Sequence, residues 1–277
     1  EVTKDGVTYT AWDVSNVDRM DYMFEGATAF NGDISNWDTS SVTNMYWMFL
    51  GATDFNGDIN SWDVSNVTNM QSMFEGAKSF NQDLNDWDVS SVTTMRHMFW
   101  KATNFNGDIS SWRPKNVTAM HKMFESTNFN QDISKWDVSS ANIMIQMFRG
   151  TPFNQDISTK VVTTEDGETY TAWDVSNVTN MQSMFWGAAE FNGNISNWDT
   201  SSVTRMSKMF YLANKFNQDI STKVVTMEDG ETYTAWDVSN VTRMGDMFHA
   251  GLNKTSLFNG NISNWDTSSV TVMEQMF

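Results

Sequence analysis

The chain has 277 residues, no cysteine and a formal charge of −17, with 21 Met, 19 Phe and 13 Trp against five Leu. That composition excludes disulfide staples, thiolate metal sites and cysteine nucleophiles. The acidity excludes generic attraction to nucleic acid or anionic membrane, which needs clustered Lys and Arg. No long apolar run is present, so no direct membrane insertion is expected of this segment.

Ordinary cores lean on Leu, Ile and Val, so a periodic rule must select the apolar residues here. A Trp recurs at Trp12, Trp37, Trp62, Trp87, Trp112, Trp136, Trp173, Trp198, Trp236 and Trp265, followed by Asp except at Arg113. The spacings are 25, 25, 25, 25, 24, 37, 25, 38 and 29. A representative unit is Ile34 to Phe55, ISNWDTSSVTNMYWMFLGATDF. All 19 Phe, 20 of the 21 Met and ten of the 13 Trp occupy columns of this frame, which marks them as core.

Along the chain, residues 1–11 (VTKDGVTYTA after Glu1) read as a hairpin about Asp5-Gly6. Within each unit Trp37-x-Thr39 alternates like a short strand, and Val42, Met45, Met48, Phe49 and Ala52 step by three or four, the spacing of a helix face. Ser40 and Ser41 are the candidate N-caps and Gly51 the left-handed stop. Residues 159–172 and 222–235 carry further hairpin insertions about Asp166-Gly167 and Asp229-Gly230. The turn after the helix is shortened at Glu125-Ser126-Thr127 and Thr151-Pro152, and lengthened from Gly251 to Leu257. The expected architecture is therefore an α/β repeat solenoid, leucine-rich-repeat-like. It would have about ten coils of 25 residues, each with a short parallel strand and a short helix. Residues 1–277 would form one continuous domain, a fragment of a longer protein. The Asn after Phe (Asn31, Asn56, Asn81, Asn106 and onward) is expected to form a structural ladder, since an amide both donates and accepts.

The pattern WDVSNVTNM followed by MFxGAxxFNQDIS resembles the bacterial surface-protein repeat of about 26 residues, the BspA-like, leucine-rich-repeat-like repeats of surface proteins and lipoproteins. The resemblance covers essentially the whole chain. It implies a leucine-rich-repeat-like solenoid, a surface or secreted location and adhesion, and it carries no catalytic residues. The three hairpin insertions depart from that pattern.

Three sets of residues are candidates for chemistry. By alternation the Asp after each Trp points outward, so Asp13, Asp38, Asp63, Asp88 and Asp137 would stack into an acidic column with Arg113 interrupting it. A second column runs through Asp33, Asp58, Asp83, Asp108, Asp132 and Asp156. These could bind calcium, or could cap their own turns. The column after Met-Phe varies freely and holds Trp100, Trp186 and Tyr211; with Tyr46 and Trp47 it is a candidate aromatic strip for protein or glycan, or partly buried surface variation. Seven sequons stand at Asn66, Asn116, Asn177, Asn194, Asn240, Asn253 and Asn261, glycosylation sites in a eukaryotic secretory pathway.

No nucleophile–base set is evident; His97 and His121 fall in adjacent coils but in neighbouring columns, and His249 is remote. The expected function is a non-enzymatic extracellular or cell-surface interaction module, adhesin-like, binding protein or glycan along one face. The alternative is a self-associating structural subunit of an extracellular filament, sheath or surface lattice. Ice binding by the Thr43, Thr68, Thr93 and Thr118 column is a third reading.

Overall fold

The structure, a computed structural model, describes residues 2–4, 7–9, 12–228, 230–252 and 256–277. The Asp5-Gly6 turn, Asp229 and the sequon Asn253 lie outside the described residues.

Each repeat is a coil built from consecutive β-turns. In the second coil the turn bonds are Trp37 N–H to Ile34 O (3.2 Å), Val42 to Thr39 (2.9 Å), Met48 to Met45 (3.2 Å), Leu50 to Trp47 (3.2 Å), Ala52 to Phe49 (3.0 Å) and Phe55 to Ala52 (3.2 Å). The intervening N–H groups leave the coil. Met45, Trp47, Phe49 and Gly51 donate to Asn69, Gln71, Met73 and Glu75 of the next coil at 2.7–3.2 Å. Six of these ten donors close turns and four tie the coil to the next.

That routing overturns the expected α/β, leucine-rich-repeat-like unit of one strand and one helix. Among the described residues there is no helix. A helix sends every N–H to its own carbonyl four residues back, and here alternate donors go to another coil. Left-handed residues enforce the difference. Trp47 (φ 58°) and Gly51 (φ 69°) interrupt any helical run, and the residue just before the second Met is left-handed in all ten coils, from Tyr22 (φ 64°) to Gln275 (φ 49°). A non-glycine residue in this region costs about 1–2 kcal/mol, so the surrounding bonds must hold it there. The Trp-x-Val/Thr segment is not a strand either. Among the described residues, parallel pairing between coils is confined to single-residue bridges at the position before the first Met, running from Arg19↔Asn44 through to Arg243↔Val272.

The core is a set of aromatic and sulfur columns. Phe49 and Phe74 stack at 5.5 Å and Phe49 and Phe55 at 4.0 Å. Trp37 and Trp62 stack at 6.1 Å with planes 2° apart. Each indole also carries a bond: the Nε1–H of Trp62, Trp87 and Trp112 donates to the carbonyl of Ile34, Ile59 and Leu84 of the preceding coil at 3.1, 3.0 and 2.7 Å. The same bond recurs up to Trp265, which donates to Ile220 at 2.8 Å. This explains why the column is Trp, since it fills the interior and satisfies a buried carbonyl at once. Outside the Phe column, the Oδ1 of Asn31 accepts the backbone N–H of Asn56 (2.9 Å) and that of Asn56 accepts Asn81 (2.9 Å), a ladder that continues to Asn259.

The β-branched segments form three antiparallel hairpins: β1 (Val2–Lys4) with β2 (Val7–Tyr9), β3 (Lys160–Thr163) with β4 (Thr169–Ala172), and β5 (Lys223–Thr226) with β6 (Thr232–Ala235). In the second, Lys160 pairs Ala172 and Thr163 pairs Thr169, with Gly167 left-handed at the turn (φ 86°).

Candidate interaction face

The Asp column after Trp comes into register, and each carboxylate serves its own turn. Oδ1 of Asp13, Asp38, Asp63, Asp88 and Asp137 accepts the backbone N–H two residues on at 2.9–3.2 Å. In four of the five it also accepts the Ser hydroxyl at that position at 2.6–2.7 Å. These bonds hold the carboxyls of Asp13 and Asp38 below the ordinary range, the Ser hydroxyl acting most strongly. The second column works alike, and there Asn194 and Asn261 accept the same N–H at 3.0 Å. A neutral amide oxygen suffices, so the turn needs an acceptor rather than a charge. Among the described residues no group of three or more His, Asp or Glu side chains is placed to hold a metal ion.

Arg113, the exception in the column, has a task of its own. Its guanidinium contacts Asp137 of the next coil (3.3 Å), grips Glu168 at the turn of β3–β4 with both terminal nitrogens (Nη2–Oε1 3.0 Å), and lies 4.1 Å over the Tyr170 ring. Tyr170 in turn donates its hydroxyl to Lys135 O at 2.6 Å. The hairpin is thereby strapped down on the coils beneath it. At β5–β6 the corresponding bond is Tyr233 hydroxyl to Asn197 O (2.5 Å), beside a polar cavity of about 200 Å³ that Thr171, Asp174, Asp199 and Tyr233 help to line.

The sequon asparagines are also engaged. Nδ2 of Asn66, Asn116, Asn177 and Asn240 donates to Ser40, Ser90, Ser139 and Ser201 carbonyls of the preceding coil at 2.7–2.9 Å. Thr43, Thr68, Thr93 and Thr118 donate their hydroxyls along the stack in the same manner, at 3.0–3.4 Å.

The variable positions around the two Met collect on one face, which is where Tyr46, Trp47, Trp100, Trp186 and Tyr211 lie, all partly buried. Tyr46 meets Trp47 at 5.0 Å and both meet Tyr22, at 5.3 and 5.5 Å. Trp186 and Tyr211 meet edge-on at 5.3 Å. Cations cover the larger rings: Lys101 and Lys122 stand 4.4 and 4.3 Å from the centre of Trp100, and Arg149 stands 3.9 Å from that of Trp186. The sequence reading missed these partners, although Lys122 and Arg149 occupy the same variable columns as the aromatics and Lys101 the adjacent Gly column.

His97 and His121 also meet on this face, in adjacent coils, at 5.2 Å. Burial, with Arg96 and Lys122 nearby, holds both imidazoles down to about 4, so both are neutral at pH 7. Glu75, 3.8 Å from His97, is pushed up by burial. Glu125 is buried and pairs with Arg149 (3.1 Å) and Lys122 (3.5 Å). Four buried side-chain atoms lack a hydrogen-bond partner among the described residues: Trp47 Nε1, Trp100 Nε1, His121 Nδ1 and Glu125 Oε2. All four belong to this face.

Turn-built coils with a repeated interior and one irregular face define a repeat protein. The chain belongs to the family described as "Mycoplasma protein of unknown function, DUF285", which matches it three times, over residues 2–99, 82–169 and 162–277. No curated protein and no solved structure matches the chain. Among the described residues no helix is long and apolar enough to cross a membrane.

Proposed function

We propose that this chain is a non-enzymatic interaction module displayed outside the cell, adhesin-like, binding protein or glycan along its variable turn face. One observation carries the reading. The framework side chains, from the Trp indoles to the Asp and Asn columns, are occupied with turns and neighbouring coils, whereas the buried polar atoms that make no hydrogen bond gather on the face that ignores the repeat. Buried polar groups are paired in the great majority of cases, and a cluster of exceptions beside aromatic rings is what a recognition surface offers. The likeness to BspA-like surface repeats supports the extracellular location.

The experiment is a binding screen of the immobilised chain against extracellular-matrix proteins and glycans, repeated with W100A/W186A/Y211A. Binding that falls in the variant supports the reading, and a screen without binders defeats it. The structural alternative is favoured by the hairpins, whose edge residue Val224 is 72% exposed and which recur 63 residues apart from Trp173 to Trp236. Sedimentation velocity across a concentration series separates the two. Assembly that grows with concentration moves the assignment to a filament or lattice subunit.

A further inference from the structure

We infer that the ligand of this face is an acidic glycan, a carboxylate-bearing polysaccharide strand lying along coils four to eight. The inference rests on the interaction-module reading and names the ligand class. Three observations carry it. The first is charge segregation. In a chain of formal charge −17, the turn-face positions of coils four to eight hold Arg96, Lys101, Lys122, Arg149 and Lys208, with Glu125 the one carboxylate among them. Arg96 and Lys101 form no ion pair among the described residues, and Lys101 rests on the Trp100 ring. Lys101 is thus held on aromatic surface, from which an incoming carboxylate can draw it without first breaking a salt bridge, whereas Lys122 and Arg149 share Glu125 and Lys208 stands 3.8 Å from Asp246.

The second observation is the hydrogen-bonding set. The unpartnered indole N–H of Trp100 is a donor, and His121 Nδ1 is unpartnered in the next coil. Sugar hydroxyls answer both kinds of group. The third is the period. Coils joined by backbone bonds advance about 4.8 Å each, close to the length of one pyranose ring in an extended chain. A polysaccharide strand parallel to the stack would meet one set of side chains per sugar. Nucleic acid fits poorly, because the remaining surface of so acidic a chain repels phosphate.

The test is calorimetric titration of the full chain with oligogalacturonate, and with the same oligomers after reduction of their carboxyls to alcohols. Binding of the acidic form is expected, weaker by at least about tenfold after carboxyl reduction and weakening as NaCl rises. R96Q/K101Q/K208Q should lose at least about tenfold, while K160Q/K223Q on the hairpins should bind as the parent does. The salt dependence is read on the unmodified chain, so it stands even if the triple variant misfolds. Equal binding of the reduced oligomers, or an undiminished triple variant that retains the parent near-ultraviolet dichroism, overturns the inference. Failure to bind acidic oligomers overturns it too. In that case capture of a neutral glycan or a protein leaves the interaction-module reading in place, and an absence of all binding removes both.

Discussion

Gly107 and Gly57 occupy the same column of the repeat, and replacing each with Ala should have very different consequences. A Cβ on Gly107 would lie 2.0 Å from the Gln82 carbonyl oxygen and 2.8 Å from its carbon, both backbone atoms of the coil below. At Gly57 the closest atom is Phe55 Cε2 at 3.1 Å, and the neighbouring carbonyl, Gly32 O, is 3.7 Å away. The first overlap can be relieved only by separating two coils locally. The bonds in the path are Asn106 N–H to Asn81 Oδ1 (2.6 Å) and Asp108 N–H to Asp83 Oδ1 (2.8 Å), with Gln82 Nε2–H to Asn56 O (2.9 Å) adjoining. At about 1 kcal/mol each, Gly107→Ala should cost roughly 2–4 kcal/mol. Gly57→Ala should fall within about 1 kcal/mol of neutral, since Ala also restricts the unfolded chain. Thermal melts followed by near-ultraviolet dichroism should show Gly107→Ala lower by about 5–10 °C and Gly57→Ala near the parent. Equal shifts would refute the argument that the coil spacing is rigid at this column.

Ser126 is left-handed at φ 63° where most coils carry Gly, so Ser126→Gly should raise stability by about 0.5–1 kcal/mol, read as a higher denaturant midpoint; a lower midpoint would contradict it. His97 and His121 titrate near 4 in the fold and near 6.5 when unfolded. The unfolded chain therefore binds more protons between those values, and stability present above pH 6.5 is lost as pH falls towards 4. Discounted for their partial exposure, the pair should account for on the order of 2 kcal/mol, and H97Q/H121Q should flatten the stability profile across that window. Arg113→Gln removes the grip on Glu168 and Tyr170. Amide exchange in β3–β4 should quicken while the coils beneath keep their protection; unchanged exchange would mean that the strap does not hold the hairpin.

The interior was legible in the sequence because a repeated apolar column has one physical meaning. The Met, Phe and Trp columns are buried from Val42 through Met247. The conformation connecting them was not legible. Val42, Met45, Met48, Phe49 and Ala52 share a side in a helix, and they do so equally in successive turns that each close over three residues. Side-chain spacing cannot tell where a backbone N–H goes, and nothing in Trp47 or Lys122 advertises a left-handed φ. The candidate face was legible in part. Free variation after Met-Phe drew attention to Trp100, Trp186 and Tyr211, but their meeting with Lys101, Lys122 and Arg149 depends on how adjacent coils align. The Asp columns could be read as turn-capping from the sequence, and each carboxylate does accept the N–H two residues on, although Asp137 is buried and the segment is not the strand whose alternation suggested an outward column.

The distribution of donors, alternately within a coil and to the next, has a consequence for how such a chain can lengthen. Along the Met face each coil donates the same row of N–H groups to the next coil that the preceding coil donates to its own carbonyls. A whole unit excised or duplicated would therefore leave a matched seam, and no other part of the molecule need change to accommodate it. Length becomes a variable that duplication can adjust by single units, and each added unit brings a fresh set of side chains around its Met pair. The 63-residue step that carries two coils and a hairpin together, from Trp173 to Trp236, looks like the product of such a copying event at a larger scale. The seam is not neutral everywhere. Gly107 above Gln82 and Gly193 above Gln155 leave no room for a Cβ, so at those two seams a copied unit must bring its glycine with it.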